Sequence, residues 1–150
     1  MNAHAPFSAG FLKMNCAEAA ARIEAAIREI VLQKLRRRGV VLGLSGGIDS
    51  SVSAALCARA LGKERVLGLF MPEADSAPES LQLGRVLADS LGIEAVVEDI
   101  HPVLEAAGCY RRRDEAIREV VPEYKSDWKS KIVLPDLLNQ KGYAIHSLVV

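Results

Sequence analysis

The sequence predicts an α/β fold: a doubly wound parallel sheet with helices on both faces. Three observations predict it. Short apolar runs rich in β-branched residues recur at 40–44, 65–72 and 93–100, and helical periodicities separate them. Glycines stand at the ends of the helical segments, at Gly39, Gly62 and Gly92. A glycine turn, "SGGIDSS", joins the first apolar run directly to the helix after it. Strands that alternate with helices pair in parallel through right-handed crossovers.

Each element has its own signal. Residues 1–14 read as an irregular lead-in. Asn15 with Glu18 three residues on forms a capping box, and Ile23, Ala26, Ile27, Ile30, Val31 and Leu35 then recur at helical spacing. Arg36, Arg37 and Arg38 before Gly39 read as a basic last turn and a glycine stop. Val40 to Leu44 reads as a buried strand. Ile48 to Leu61 reads as a helix with Ile48, Val52, Ala55, Leu56 and Leu61 inward, closed by Gly62. Arg65 to Pro72 reads as a second strand that the proline stops. "SAPE", from Ser76, reads as a capping box opening a helix with Leu83, Val86, Leu87 and Leu91 inward, stopped at Gly92. Ile93 to Ile100 reads as a third strand. Past Pro102, Val103 to Ala107 and Glu115 to Val121 carry helical patterns, and the rest has no assignable period.

Composition narrows the function classes. The 150 residues make one ordinary domain, 1–150, half hydrophobic and a quarter charged, which excludes a disordered chain. Nineteen basic residues balance nineteen acidic ones, so no global field draws nucleic acid or an anionic membrane. No apolar run reaches transmembrane length, and the N-terminus lacks the pattern of a signal peptide, so the expected compartment is the cytoplasm. Cys16, Cys57 and Cys109 have no C-x-x-C spacing, which fits a reducing compartment; Cys57 reads as a small core residue.

The glycine turn carries the chemistry. In an open parallel sheet, ligands bind beyond the carboxyl ends of the strands. The helix starting at Ile48 presents unpaired N–H groups and the positive end of its dipole there. Gly46 and Gly47 accept φ > 0 and leave no Cβ between an anion and the backbone. Ser45, Ser50 and Ser51 add hydroxyls, so the turn reads as a cradle for phosphate or pyrophosphate. Asp49 would repel a phosphate unless a cation lay between them. It therefore reads as a magnesium ligand, against the alternative of a helix-start carboxylate. Neither the Walker pattern nor G-x-G-x-x-G is present.

"SGGIDSS" resembles the pyrophosphate loop of the N-type ATP pyrophosphatases, whose members include GMP synthetase, asparagine synthetase and tRNA-modifying enzymes. Val66 to Ile100, with Met-Pro at a strand end and "SAPES" at a helix start, is similar to NAD synthetase, and "YKSDWKSKIVLP" is similar to a subgroup of NAD-synthetase-like proteins. The resemblance covers roughly residues 20–135. It implies an adenine nucleotide alpha hydrolase-like fold. It also implies a ligase that adenylates deamido-NAD with ATP and amidates it with ammonia, giving NAD, AMP and pyrophosphate. By position, Gly43, Leu44, Ser45, Gly46, Gly47, Ile48, Asp49, Ser50 and Ser51 would hold the phosphates, with Mg2+ on Asp49. Leu69 and Met71 would line the adenine pocket, mostly through backbone.

The resemblance further implies a homodimer, and it names no catalytic side chain within this chain. Family members run longer, and their later half supplies a second acidic metal ligand, a threonine near ATP and closing lysine loops. The chain is therefore expected to be part of a longer family domain and catalytically incomplete. No glutaminase domain fits into the 38 residues before Gly39, so ammonia would arrive free or from a separate glutaminase. The alternatives are another ATP pyrophosphatase, of sulfur-transfer or tRNA-modifying type, and a nucleotide-binding module without catalysis. His101 reads as a capping or solvated residue. Tyr110 to Arg113 read as a solvated helix start, and Trp128 as a loop anchor. The apolar tail, Ile145 to Val150, reads as exposed core or a self-association surface.

Overall fold

The computed structural model describes residues 13–125, 127–133 and 147–150. Most of the expected lead-in and the start of the apolar tail lie outside them. The described residues form two compact units, Met1–His101 and Pro102–Val150.

The first unit is a parallel three-stranded sheet with the order β1-β2-β3, where β1 is Val40–Gly43, β2 is Val66–Phe70 and β3 is Glu94–Val97. The register pairs Val40 with Val66 and Leu67 with Glu94. The α/β parallel class is the one the sequence predicted. Leu44, Val66 and Phe70 share a buried cluster with Ala54 and Cys57 of α2 (Ile48–Leu61), Ala88 of α3 (Pro78–Leu91) and Ile93. Ile27 of α1 (Cys16–Arg28) packs against the same cluster. These helices therefore lie on one face of the sheet. The other face, among the described residues, leaves Val41 62% and Val96 41% exposed.

Local chemistry sets the helix ends. Asn15 caps α1, its side chain accepting from the Glu18 amide at 3.3 Å. The helix then widens into a π turn over Glu29–Lys34, where the Leu35 amide donates to Ile30 O at 2.8 Å. The left-handed residue after it is Arg36, at φ 50°, rather than the expected Gly39. Gly39 answers a different need: a Cβ there would collide with the Arg65 carbonyl. Ser76 does not cap α3 as the sequence suggested. Ala77 is the N-cap and Pro78 takes the first helical position, which suits its missing N–H.

The buried faces of α2 and α3 match the expected ones only in part: Leu61 is buried and Leu87 and Leu91 pack against the core as expected, and others differ. Ala54, Cys57, Ala60 and Leu61 are buried in α2, while Ile48 and Val52 are 78% and 53% exposed. In α3 the buried residues are Gly84 and Ala88, with Leu83 and Val86 exposed. Small residues let both helices sit close on the sheet. A Cβ on Gly84 would stand 2.6 Å from the Phe70 ring. Half-buried Glu24 ties α1 to α2 through Arg59 at 2.8 Å.

Burial pushes the Cys57 thiol above its ordinary pKa, because the thiolate would lose its hydration. Cys16, by contrast, is exposed. Alkylation of the native chain is expected to label Cys16 quickly and Cys57 only after unfolding, as peptide mass mapping would report. The raised pKa also fixes a pH dependence. Above the ordinary thiol pKa the unfolded chain loses this proton while the folded chain keeps it, so the thiol's contribution to stability falls as pH rises through that range.

The second unit holds α4 (His101–Ala106, which starts on the boundary residue), α5 (Cys109–Val120) and an antiparallel pair, β4 (Lys131–Val133) with β5 (Ser147–Val149). Both expected helical patterns are helices. Asp114 is buried beside the Arg113 guanidinium at 2.9 Å. Tyr124 is buried edge-on to Trp128, and its hydroxyl donates to Trp128 O at 3.1 Å; Trp128, expected as the loop anchor, is itself 37% exposed, and Tyr124 is the buried member of the pair.

Candidate nucleotide-phosphate site

The quoted turn leaves β1 and enters α2 without spare residues. Gly46 takes φ 76°, and Gly47 is the N-cap in extended backbone. Ser51 N, donating to Gly47 O at 3.2 Å, is the first helical donor. The amides of Gly46, Ile48, Asp49 and Ser50 have no acceptor among the described residues. Four unpaired donors at the positive end of a 14-residue helix are the physical content of an anion cradle.

The serines brace this loop. Ser45 Oγ accepts from the Gly47 amide at 3.3 Å and lies 3.1 Å from Ser50 Oγ. Ser50 and Ser51 hydroxyls donate to Gly47 O at 3.0 and 2.7 Å. Their contribution is a preset loop shape more than a row of free hydroxyl donors.

Beside the loop lies a cleft of about 360 Å³. Ser45 and Leu44 form one side, Met71 and Pro72 the strand end, and Glu73, Ser76 and Ser80 the far side. The first turn of α3 is thus the opposing wall, and it touches the loop: a Cβ on Gly46 would stand 2.5 Å from Ser80 O. Ser76 accepts from the Glu73 amide at 3.0 Å, which shapes the lip. Sequence reasoning missed Glu73, Ser76 and Ser80. The "SAPE" signal marked the helix start but gave no sign that it faces the glycine turn.

The two expected adenine-lining residues separate. Leu69 O accepts the Leu44 amide at 2.9 Å, and Leu69 is not among the cleft residues. Phe70 O and Pro72 O accept from Glu98 N and Ile100 N at 2.8 and 3.1 Å. Among the described residues the Met71 N–H and C=O keep no backbone partner, so Met71 is the position where an adenine edge would find backbone groups. Met71 Cε also stands 3.1 Å from where a Gly43 Cβ would be.

The Asp49 carboxylate is exposed and has no ion-pair or hydrogen-bond partner among the described residues. No group of three or more His, Cys, Asp or Glu forms a metal cage among those residues. A lone carboxylate beside unpaired amides has the chemistry magnesium would need with a phosphate present, since the ion takes one or two carboxylates and fills its shell with phosphate oxygens and water. No helix of the described residues is long and apolar enough to cross a membrane.

Fold and site together define a class: a parallel α/β protein with a glycine turn of unpaired amides at the carboxyl end of its first strand. The family model described as NAD synthase matches residues 19–124, across both compact units. The chain belongs to the NAD synthase family. It is 60% identical over 144 residues to the NH(3)-dependent NAD(+) synthetase of Rhizobium meliloti (strain 1021), an overlap covering 96% of this chain and 43% of that protein. Among solved structures it is similar to the NH3-dependent NAD synthetase of Campylobacter jejuni, in complex with the nitrate ion, at 32% identity and TM-score 0.60, covering 73% of this chain and 50% of that one. It is also similar to NMN synthetase from Francisella tularensis, at 26% identity and TM-score 0.60, covering 67% and 41%. The chain spans less than half the length of curated relatives such as the Rhizobium meliloti protein.

Proposed function

We propose that this chain is the ATP-binding part of an NH3-dependent NAD synthetase, and that residues 1–150 belong to a single ATP pyrophosphatase domain of that family. The observation that carries the reading is the set of four unpaired amides at the Gly46-Gly47 turn, opening on a cleft in a chain of this family. The amides of Gly46, Ile48, Asp49 and Ser50 hold the β- and γ-phosphates of ATP, with Gly43 and Leu44 leading the strand into the turn. The Met71 backbone meets the adenine. In the reaction, a carboxylate oxygen of deamido-NAD forms a bond to the α-phosphorus as the bond to the leaving pyrophosphate breaks. Ammonia then adds to the acyl carbon, AMP leaves with its bonding electrons, and a proton is lost to give the amide.

The chain's part in that sequence is to fix the leaving group. Donors already in place when charge builds on the departing pyrophosphate lower the barrier without reorganising. Asp49 would hold magnesium, which neutralises phosphate charge when bound. We further infer a cytoplasmic homodimer with ammonia arriving free or from a separate glutaminase, in line with the unpaired cysteines and the absence of a long apolar run. A second reading, nucleotide binding without catalysis, is favoured for the chain alone by its span of less than half of its relatives.

The test of the metal role is Asp49→Asn. With magnesium present the variant is expected to bind ATP about tenfold more weakly, and without magnesium to bind it as the parent does. Calorimetry of both proteins with and without the metal decides it. A loss that is equal in both conditions, with a melting point lowered by the equivalent of about 0.3–1 kcal/mol, would assign Asp49 to the helix dipole instead.

A further inference from the structure

The floor of the cleft beside the glycine turn is apolar. Leu44, just past the end of β1, and Phe70, the last residue of β2, both line it, and both are buried. Each is seated on a glycine. A Cβ on Gly68 would stand 2.6 Å from Leu44 Cδ1, and one on Gly84 would stand 2.6 and 3.1 Å from Phe70 Cε1 and Cδ1. Neither glycine has a positive φ, so room and not conformation selects it. Glycine inside a strand or a helix is unfavourable by itself, so close packing must offset it.

The two seats differ in how much they can give. Leu44 Cδ1 is the end of an aliphatic chain and can turn to another rotamer. The Phe70 ring is rigid, and both of its supports are held. Its backbone pairs with Val97, and its carbonyl accepts the Glu98 amide at 2.8 Å. α3 is held at the turn, where Ser80 O stands 2.5 Å from the place of a Gly46 Cβ. Ser80, Gly84 and Ala88 follow one another at single-turn intervals along the inner face of α3. They meet the glycine turn, the Phe70 ring and the core cluster in that order. With strand and helix both fixed, a methyl at position 84 drives the ring toward the cleft that it lines.

We propose that Gly84 is a positioning residue for the nucleotide. It seats the Phe70 ring low enough to leave the cleft of about 360 Å³ open to the adenosine half of ATP. It acts through Phe70 and touches no substrate itself. The unpaired amides of the turn lie outside this contact. Recognition therefore divides: phosphate belongs to the turn and the start of α2, while room for base and sugar belongs to the inner face of α3.

Gly84 acts on the nucleotide cleft read above, and calorimetry with ATP and with pyrophosphate separates the two ideas. Gly84→Ala is expected to bind ATP about fivefold more weakly than the parent, and pyrophosphate within about twofold of it. Ala88→Val adds bulk one turn further on, outside the cleft lining. It should lower the melting point and leave the ratio of the two affinities as in the parent. Phe70→Leu supplies a test of sign. With the ring gone, Gly84→Ala refills the seat and should raise ATP affinity instead of lowering it. That comparison decides the matter even where Gly84→Ala alone does not fold. The same sign in both backgrounds would overturn the proposal. So would pyrophosphate affinity falling in step with that for ATP, or an equally altered ratio in Ala88→Val. A parent chain that takes pyrophosphate and no ATP would overturn the nucleotide reading together with this one, a result unlike any of the others.

Discussion

Gly46→Val is expected to cost at least about 100-fold in pyrophosphate and ATP affinity, because two constraints meet at one residue. The backbone at Gly46 is left-handed, φ 76°, where a β-branched residue is a steric outlier and an L-residue costs about 1–2 kcal/mol. The new side chain would begin 2.5 Å from Ser80 O, which is backbone and cannot swing aside. Either the turn leaves its conformation, scattering the unpaired amides, or the first turn of α3 moves, deforming the far wall of the cleft. Gly47→Ala separates this from a general dislike of side chains in the loop. Gly47 is extended, φ −86°, and its Cβ would meet only Ser45 Oγ at 3.3 Å, so its melting point should change little. Calorimetry with pyrophosphate, beside thermal unfolding of both variants, is the measurement. A folded Gly46→Val chain with parental pyrophosphate affinity would remove the anion cradle from the account.

The glycine turn was legible in the sequence because everything it needs is local: two glycines, a strand before and a helix after. The same locality explains why α2 spans Ile48–Leu61 as predicted, with Gly62 at φ 91° closing it. What a helix buries is not local. Leu61, Leu87, Leu91 and Cys57 pack inward as expected, yet Ile48, Val52, Leu83 and Val86 are exposed, while Ala54, Gly84 and Ala88 are buried in their place. Close approach to the sheet selects small residues, and a ranking by hydrophobicity alone misses them. The far wall of the cleft was illegible for a related reason. Ser80 meets Gly46 only because a crossover brings α3 back beside α2, and no spacing along the chain records that contact. Ser76 misled in another way: Pro78 fixes the first helical position, so the cap falls on Ala77 and the serine is left to shape the lip.

The isolated chain is expected to release pyrophosphate from ATP with deamido-NAD and ammonium at a rate at least about 1,000-fold below that of a relative such as the Rhizobium meliloti enzyme. On the proposed reading the donors of this chain, at the turn and the α2 N-terminus, would meet the leaving group from one side, with the first turn of α3 as the facing wall of the cleft. Adenylation must also orient a carboxylate in line with the α-phosphorus and stabilise charge at the oxygens between, which needs groups across the transferring centre. Removing one such donor typically costs 10²- to 10³-fold, so several missing together exceed the expected deficit. Among the described residues β1 pairs with β2 alone, so no neighbouring strand flanks the turn on its outer side. Weak ATP binding should therefore persist while turnover does not, and adding the unmatched part of the relative should restore turnover without raising it in the Gly46→Val chain. Robust pyrophosphate release by the chain alone, monodisperse by light scattering, would mean that one wall of the crevice is enough for the chemistry.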